Sequence, residues 1–147
     1  MLDAKFFQKV GPDIAACYRR YIFGSADGGK SARDIFGKKY KPYSPEYREA
    51  KQTGKLRRQA TQFKDSTAPV LSTDLLRDIK YYGTFSGGFG FGALSARGKI
   101  NHLAKMGRII ATESKALPDK CSKKIMKEAD KYVMKKLGKI KGRTFNI

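Results

Sequence analysis

Ile79-Lys80-Tyr81-Tyr82-Gly83-Thr84-Phe85-Ser86-Gly87-Gly88-Phe89-Gly90-Phe91-Gly92-Ala93-Leu94 is the stretch that decides the fold. Two runs rich in aromatic and β-branched residues, 79–85 and 89–94, flank Ser86-Gly87-Gly88, the composition of a hairpin turn. Phe89 and Phe91 alternate with Gly90 and Gly92, so one strand face is aromatic and the other nearly bare. A bare face permits close approach of another backbone, from the same chain or a neighbour.

Outward from this hairpin the pattern turns helical. On the N-terminal side, Ser72 or Thr73 can cap a short turn through Leu75, Leu76 and Ile79. Further back, Pro12 suits a first helical turn, and Ile14, Cys17, Tyr18, Tyr21 and Ile22 follow at helical spacing. Arg19 and Arg20 fall on the opposite face, and Gly24 stands where a helix-ending glycine belongs. Residues 2–10 read as a preceding turn or short helix, broken at Gly11-Pro12. On the C-terminal side, Ile100, Leu103 and Ala104 suggest a short helix ending by Gly107, and 108–112 could add a strand. Pro118 opens a last helix with the apolar stripe Cys121, Ile125, Ala129, Tyr132, Val133 and Leu137, ended by Gly138. Residues 139–147 form a basic tail. The fold class expected is α+β: a small, mostly antiparallel sheet with an N-terminal and a C-terminal helix packed on it, plus a long basic loop or arm. Its 147 residues make one domain, with 40% hydrophobic and 12% aromatic content that argues against disorder.

Residues 24–45 read as a long connection. Ser44-Pro45 can start a helix, with serine as cap and proline at the first helical position. The apolar spacing beyond it is sparse and Gly54 interrupts it, so a basic arm over about 46–68, ordering against a neighbour or DNA, is an equal alternative.

Charge is the strongest compositional signal. Thirty-two Lys plus Arg against thirteen Asp plus Glu leave a net +19. Such an excess repels itself in a compact fold unless something anionic lies nearby. Nucleic acid, an acidic protein surface and an anionic membrane are the partners it allows. Residues 38–64 hold nine basic residues against two acids, a net +7, and residues 115–143 hold eleven against three, a net +8. Basic and aromatic residues interleave at Lys38, Lys39, Tyr40, Lys41, Tyr43, Tyr47 and Arg48, a composition that can grip phosphates and stack on bases, or simply anchor a loop. No base-reading signature accompanies it. Contact with DNA would be independent of sequence, with Lys51, Lys55, Arg57, Arg58 and Lys64 as the candidate DNA-facing residues.

Catalytic and metal chemistry find little support. Gly24-Ser25-Ala26-Asp27-Gly28-Gly29-Lys30-Ser31 matches the phosphate-loop pattern at each required position. That mechanism needs a strand before the loop and a helix after it, whereas helical periodicity precedes it here and Gly37 and Pro42 follow. A glycine-rich connection is the reading adopted. His102 is the only histidine and Cys17 and Cys121 match no metal spacing. No catalytic residue, cofactor or metal is expected, and the cysteines are read as reduced thiols. No basic leader or long apolar run occurs, so the expectation is a chain made and kept in a cytosol, with no membrane partner.

Two short segments carry a resemblance. Tyr40, Pro42 and Ser44 fit an aromatic-x-Pro-Leu-Ser turn with Tyr43 in place of leucine. Thr73, Leu76, Arg77 and Asp78 fit a Thr-Gly-x-Leu-Arg-Asp element with Asp74 in place of glycine. Pro118 and Lys120 stand where Pro-x-Arg would precede a C-terminal helix, and the His102-to-Gly107 spacing exceeds the His-x-x-Gly element by two residues. In this order the parts resemble the virion-morphogenesis and tail-completion proteins of tailed bacteriophages. The resemblance implies a structural ring subunit of the neck or tail end, six- or twelve-fold, surrounding the channel for packaged double-stranded DNA. Its partners would be copies of itself, a portal-side adaptor and tail-tube or terminator proteins. It would be made in the host cytoplasm and located in the virion. Tyr40, Pro42, Tyr43, Phe89 and Phe91 are the candidate subunit-interface residues. A non-specific nucleoid- or RNA-associated nucleic-acid-binding protein is the alternative that the charge also allows.

Overall fold

The computed structural model describes residues 2–53, 55, 65–69, 74–85, 88–93 and 97–141; at residues 84, 85, 88, 89, 91–93, 97, 140 and 141 it describes the backbone alone. The first helix, α1, runs from Ala4 to Phe23. Asp3 caps it, its Oδ1 accepting from the Phe6 N–H at 3.1 Å. Gly24 ends it in the left-handed conformation (φ 62°), its N–H donating to the Arg20 carbonyl at 3.1 Å. The expected break at Gly11-Pro12 does not occur. Proline inside a helix costs about 3 kcal/mol, yet Phe6, Val10, Ile14, Ala15, Tyr18, Ile22 and Phe23 are all buried on either side of it. Each large apolar side chain contributes roughly 1.5–3 kcal/mol when buried, so packing outweighs the local defect. Gly11 is a seat for the hairpin: a Cβ there would lie 2.3 Å from Cδ2 of Tyr81.

Glycine-rich turns follow α1, then α2 over Pro45–Gln52, capped by Ser44 Oγ accepting from the Tyr47 N–H at 3.3 Å. The single turn α3, Asp74–Asp78, leads directly into strand β1, Ile79–Phe85, which pairs antiparallel with β2, Gly88–Ala93. Tyr81 faces Phe91 and Thr84 faces Phe89 in the register, with an irregularity at Tyr81/Gly83 where Gly83 has φ 114°. The Arg19 guanidinium, on the face opposite the apolar stripe, donates to the Ile79 carbonyl and ties α1 to the start of β1.

Helix α4 spans Arg97–Lys105 and closes at Gly107, φ 73°. The strand expected at 108–112 is absent; that backbone is irregular and satisfied piecemeal. The Ile35 N–H donates to the Ile109 carbonyl at 2.9 Å and the Tyr18 hydroxyl to the Ile110 carbonyl at 2.6 Å. Helix α5, Asp119–Lys141, starts after buried Pro118 and continues through Gly138 instead of ending there.

The chain is thus a small, helix-rich fold with one two-stranded hairpin among the described residues. The sheet is smaller than expected and α5 packs on α1. Phe6, Val10 and Ile14 of α1 meet Ile125, Ala129 and Tyr132 of α5. The main core gathers Tyr18, Ile22 and Phe23 with Ile35, Tyr40, Leu75, Ile79, Ile110 and Cys121. The helices run antiparallel: Asp3, before α1, accepts from the Tyr132 hydroxyl (2.8 Å) and the Lys136 ammonium (2.7 Å), while Cys17 meets Cys121 at the other end, sulfur to sulfur 2.7 Å.

Candidate nucleic-acid and subunit interface

The candidate DNA-facing residues separate. Lys51 is turned inward and 1% exposed. Helix α2 places it one turn beyond Tyr47, on the side facing Ser66, whose carbonyl accepts from Lys51 Nζ at 2.9 Å. The same ammonium lies 5.0 Å from the centre of the Tyr43 ring, and the Arg108 guanidinium lies 3.8 Å from it. Burial, with the Arg108 charge nearby, pushes the Lys51 pKa down to about 8. Lys51 is therefore an internal anchor and corrects the expectation that it faces DNA. Lys55 is exposed. Arg57, Arg58 and Lys64 lie outside the described residues.

The interface candidates also divide. Tyr40 is buried in its own chain's core, so it is withdrawn from the interface; burial raises its hydroxyl well above the usual phenol range. Tyr43 is half-buried, its hydroxyl donating to the Ala68 carbonyl at 3.0 Å and its ring tilted 39° against Tyr47 at 4.6 Å. Pro42 is exposed. Phe89 and Phe91 sit in β2, and their side chains lie outside what is described.

Arg108 was not singled out from sequence. It is 5% exposed, donates to the Lys41 carbonyl at 3.0 Å, and with Lys51 brackets the Tyr43 ring. The one local hint was that Tyr47 and Lys51 share a face of α2. His102 is exposed on α4, where it lines a groove of about 430 Å³ with Tyr43, Tyr47, Leu75, Leu103 and Met106.

The glycine-rich loop uses its own N–H groups. The Asp27 carboxylate accepts from the Ser31 N–H at 3.1 and 3.2 Å, and hydrogen bonding by the Ser31 side chain first and its backbone second holds the Asp27 pKa below the usual carboxylate range. The Gly29 N–H donates to the Gly24 carbonyl at 2.9 Å. An acid thus occupies the concavity that a phosphate would need, and the loop follows a helix. Among the described residues no group of three or more His, Cys, Asp or Glu is placed to hold a metal ion.

Positive charge gathers on α5. Lys123, Lys127, Lys131, Lys135 and Lys139 recur every fourth residue and are all exposed. Lys131 pairs with Glu128 at 2.9 Å and Lys136 with Asp3 at 2.7 Å; the other four of the row have no ion-pair partner among the described residues. Lys115 pairs with Asp119 at 2.8 Å, beside the start of the helix. No family model, curated protein or solved structure matches the chain.

Among the described residues no helix is long and apolar enough to cross a membrane.

Proposed function

We propose that this chain is a structural subunit of the neck or tail end of a tailed bacteriophage, closing with copies of itself into a six- or twelve-fold ring around the DNA channel. The observation that carries the reading is the hairpin. Among the described residues β1 and β2 pair only with each other, and no third strand adds to either edge. A two-stranded sheet is marginal alone, and open edges are templates for another strand. α1 supports the hairpin through the Gly11–Tyr81 seat; strands from neighbouring copies would extend it into a larger antiparallel sheet, helices packed on it. Heterologous contacts of that kind close into rings when the rotation per subunit allows. The adjoining rings would be a portal-side adaptor and tail-tube or terminator proteins. The net charge of +19 suits a wall beside packaged duplex DNA, met without sequence preference. The role is mechanical, with no catalytic step, in a virion part made in the host cytoplasm.

Electron microscopy of the parent particle tests this. The expected result is this chain as a closed ring on the head–tail axis; its density off that axis, or as isolated monomers on the capsid shell, would overturn the proposal. The lysine row of α5 favours one second reading, a non-specific nucleic-acid-binding protein. Tight salt-dependent duplex binding by a chain that never forms rings would select it.

A further inference from the structure

We infer that the groove between α1 and α5 is a surface that grips the phosphate backbone of duplex DNA. Five ammonium groups line it, from Lys9 of α1 and Lys131, Lys135, Lys136 and Lys139 of α5, with the Glu128 carboxylate among them and that of Asp3 bonded to Lys136. Its volume is about 340 Å³, with Phe6, Val10 and Tyr132 forming the wall between the charges. Two of the five are already engaged, Lys131 by Glu128 and Lys136 by Asp3. Lys9, Lys135 and Lys139 have no ion-pair partner within 4.0 Å among the described residues, Lys9 sharing only the longer-range field of Glu128, so most of their charge is available to a ligand.

Spacing selects the occupant. Like charges four residues apart on a helix repel and weaken it, and α5 repeats lysine in this way from Lys123 to Lys139. An extended polyanion relieves that repulsion all along the row, as a single small anion does not. From Lys131 to Lys139 the helix rises about 12 Å at 1.5 Å per residue, the axial length of roughly three phosphates of one DNA strand at about 3.4 Å each. Contacts from ammonium groups to phosphates carry no sequence information, so the grip is independent of sequence. By contrast the arm's Lys51 is consumed internally.

The inference rests on the channel reading for the source of the duplex, so grip and ring are measured separately. The full chain is titrated onto two labelled duplexes of unrelated sequence over a range of salt. The parent should bind both alike, with affinity falling linearly in logarithmic salt. Lys9→Gln/Lys135→Gln/Lys139→Gln should weaken binding about tenfold or more and reduce the salt slope by roughly 2 to 3, at about 0.9 per lost phosphate contact. Its melting temperature should rise or hold, because repulsion has been removed, which separates lost grip from lost fold. Lys38→Gln/Lys39→Gln/Lys55→Gln removes equal charge from exposed sites elsewhere and should change the slope far less. A groove variant that binds like the parent, or a control variant that loses as much, overturns the assignment. So does a parent that ignores duplex and binds polyglutamate. Ring formation by the groove variant on particles, seen by microscopy, bears on the ring alone.

Discussion

At the scale of single residues, two positions decide how the interior is built. Lys51 is a cation held by one carbonyl and one aromatic ring, and its depressed pKa fixes a sign. Between about 8, its folded value, and the ordinary 10.5, the unfolded chain binds a proton that the folded chain does not. Stability from this group therefore rises with pH across that window, and below it the cost of burying the charge is felt in full. Lys51→Met removes the titration: the stability of the parent relative to this variant should increase from pH 8 to pH 10 in denaturant titrations. A difference flat with pH would mean that the ammonium is solvated. Gly11 is the second position. Alanine is the better helix former by about 1 kcal/mol, but its methyl would meet the Tyr81 ring at 2.3 Å, and overpacking costs about 1–3 kcal/mol. Gly11→Ala should destabilise by about 1 kcal/mol in the parent and stabilise in a Tyr81→Ala background. The same sign in both would remove the contact from the account.

At the scale of elements, the helix pair is held at one end by Asp3, which caps α1 and joins Tyr132 and Lys136 of α5. Lys136, Tyr132 and the Phe6 N–H hold the Asp3 carboxyl well below its ordinary 3.8, and Asp3 raises Lys136 above its ordinary 10.5. A depressed acid stabilises above 3.8 and loses that contribution as pH falls below it; a raised lysine stabilises below 10.5 and loses it as pH rises beyond. Asparagine keeps the cap but not the charge, so the melting gap between the parent and Asp3→Asn should be widest near neutrality and shrink in acid. Asp3→Ala, losing the cap too, should melt lower than Asp3→Asn. Elements signalled by neighbours in sequence were legible: the paired strands β1 and β2, the Ser44-Pro45 start of α2, and the glycine stops at Gly24 and Gly107. Those set by distant contacts were not. Pro12 is tolerated because both flanks of α1 are buried, the 108–112 backbone is satisfied by Ile35 and Tyr18, and α5 passes Gly138 without a local reason to continue. The inward turn of Lys51 was hidden for the same reason, since Arg108 and Ser66 reach Tyr43 and Lys51 only through the fold.

At the scale of the whole molecule, a hairpin with no third strand among the described residues and a sequence dominated by one sign of charge pull in opposite directions. Edges invite copies to add strands, and charge keeps free copies apart until an anion screens them. Assembly should therefore be promoted by salt or DNA, read by light scattering, and Phe91→Asp in β2 should block it if the hairpin forms the joint. Rings formed normally by that variant would place the joint elsewhere. The thiol contact has a different consequence, one of chain topology. Cys17 and Cys121 stand 104 positions apart in sequence, yet their sulfurs touch. Passing two protons and two electrons to oxidised glutathione would join them and turn most of the polypeptide into a covalent loop. Cys17 is the sulfur a reagent reaches first, since Cys121 is fully buried. A loop of that size is expected to stabilise by about 4.7 kcal/mol through the unfolded state. Oxidised protein should yield no free thiol after unfolding and a raised denaturation midpoint; two titratable thiols after that treatment would refute it. In the role proposed above, a chain left open by a reducing cytoplasm would become one whose hairpin is part of a closed covalent ring of polypeptide once its particle leaves the cell.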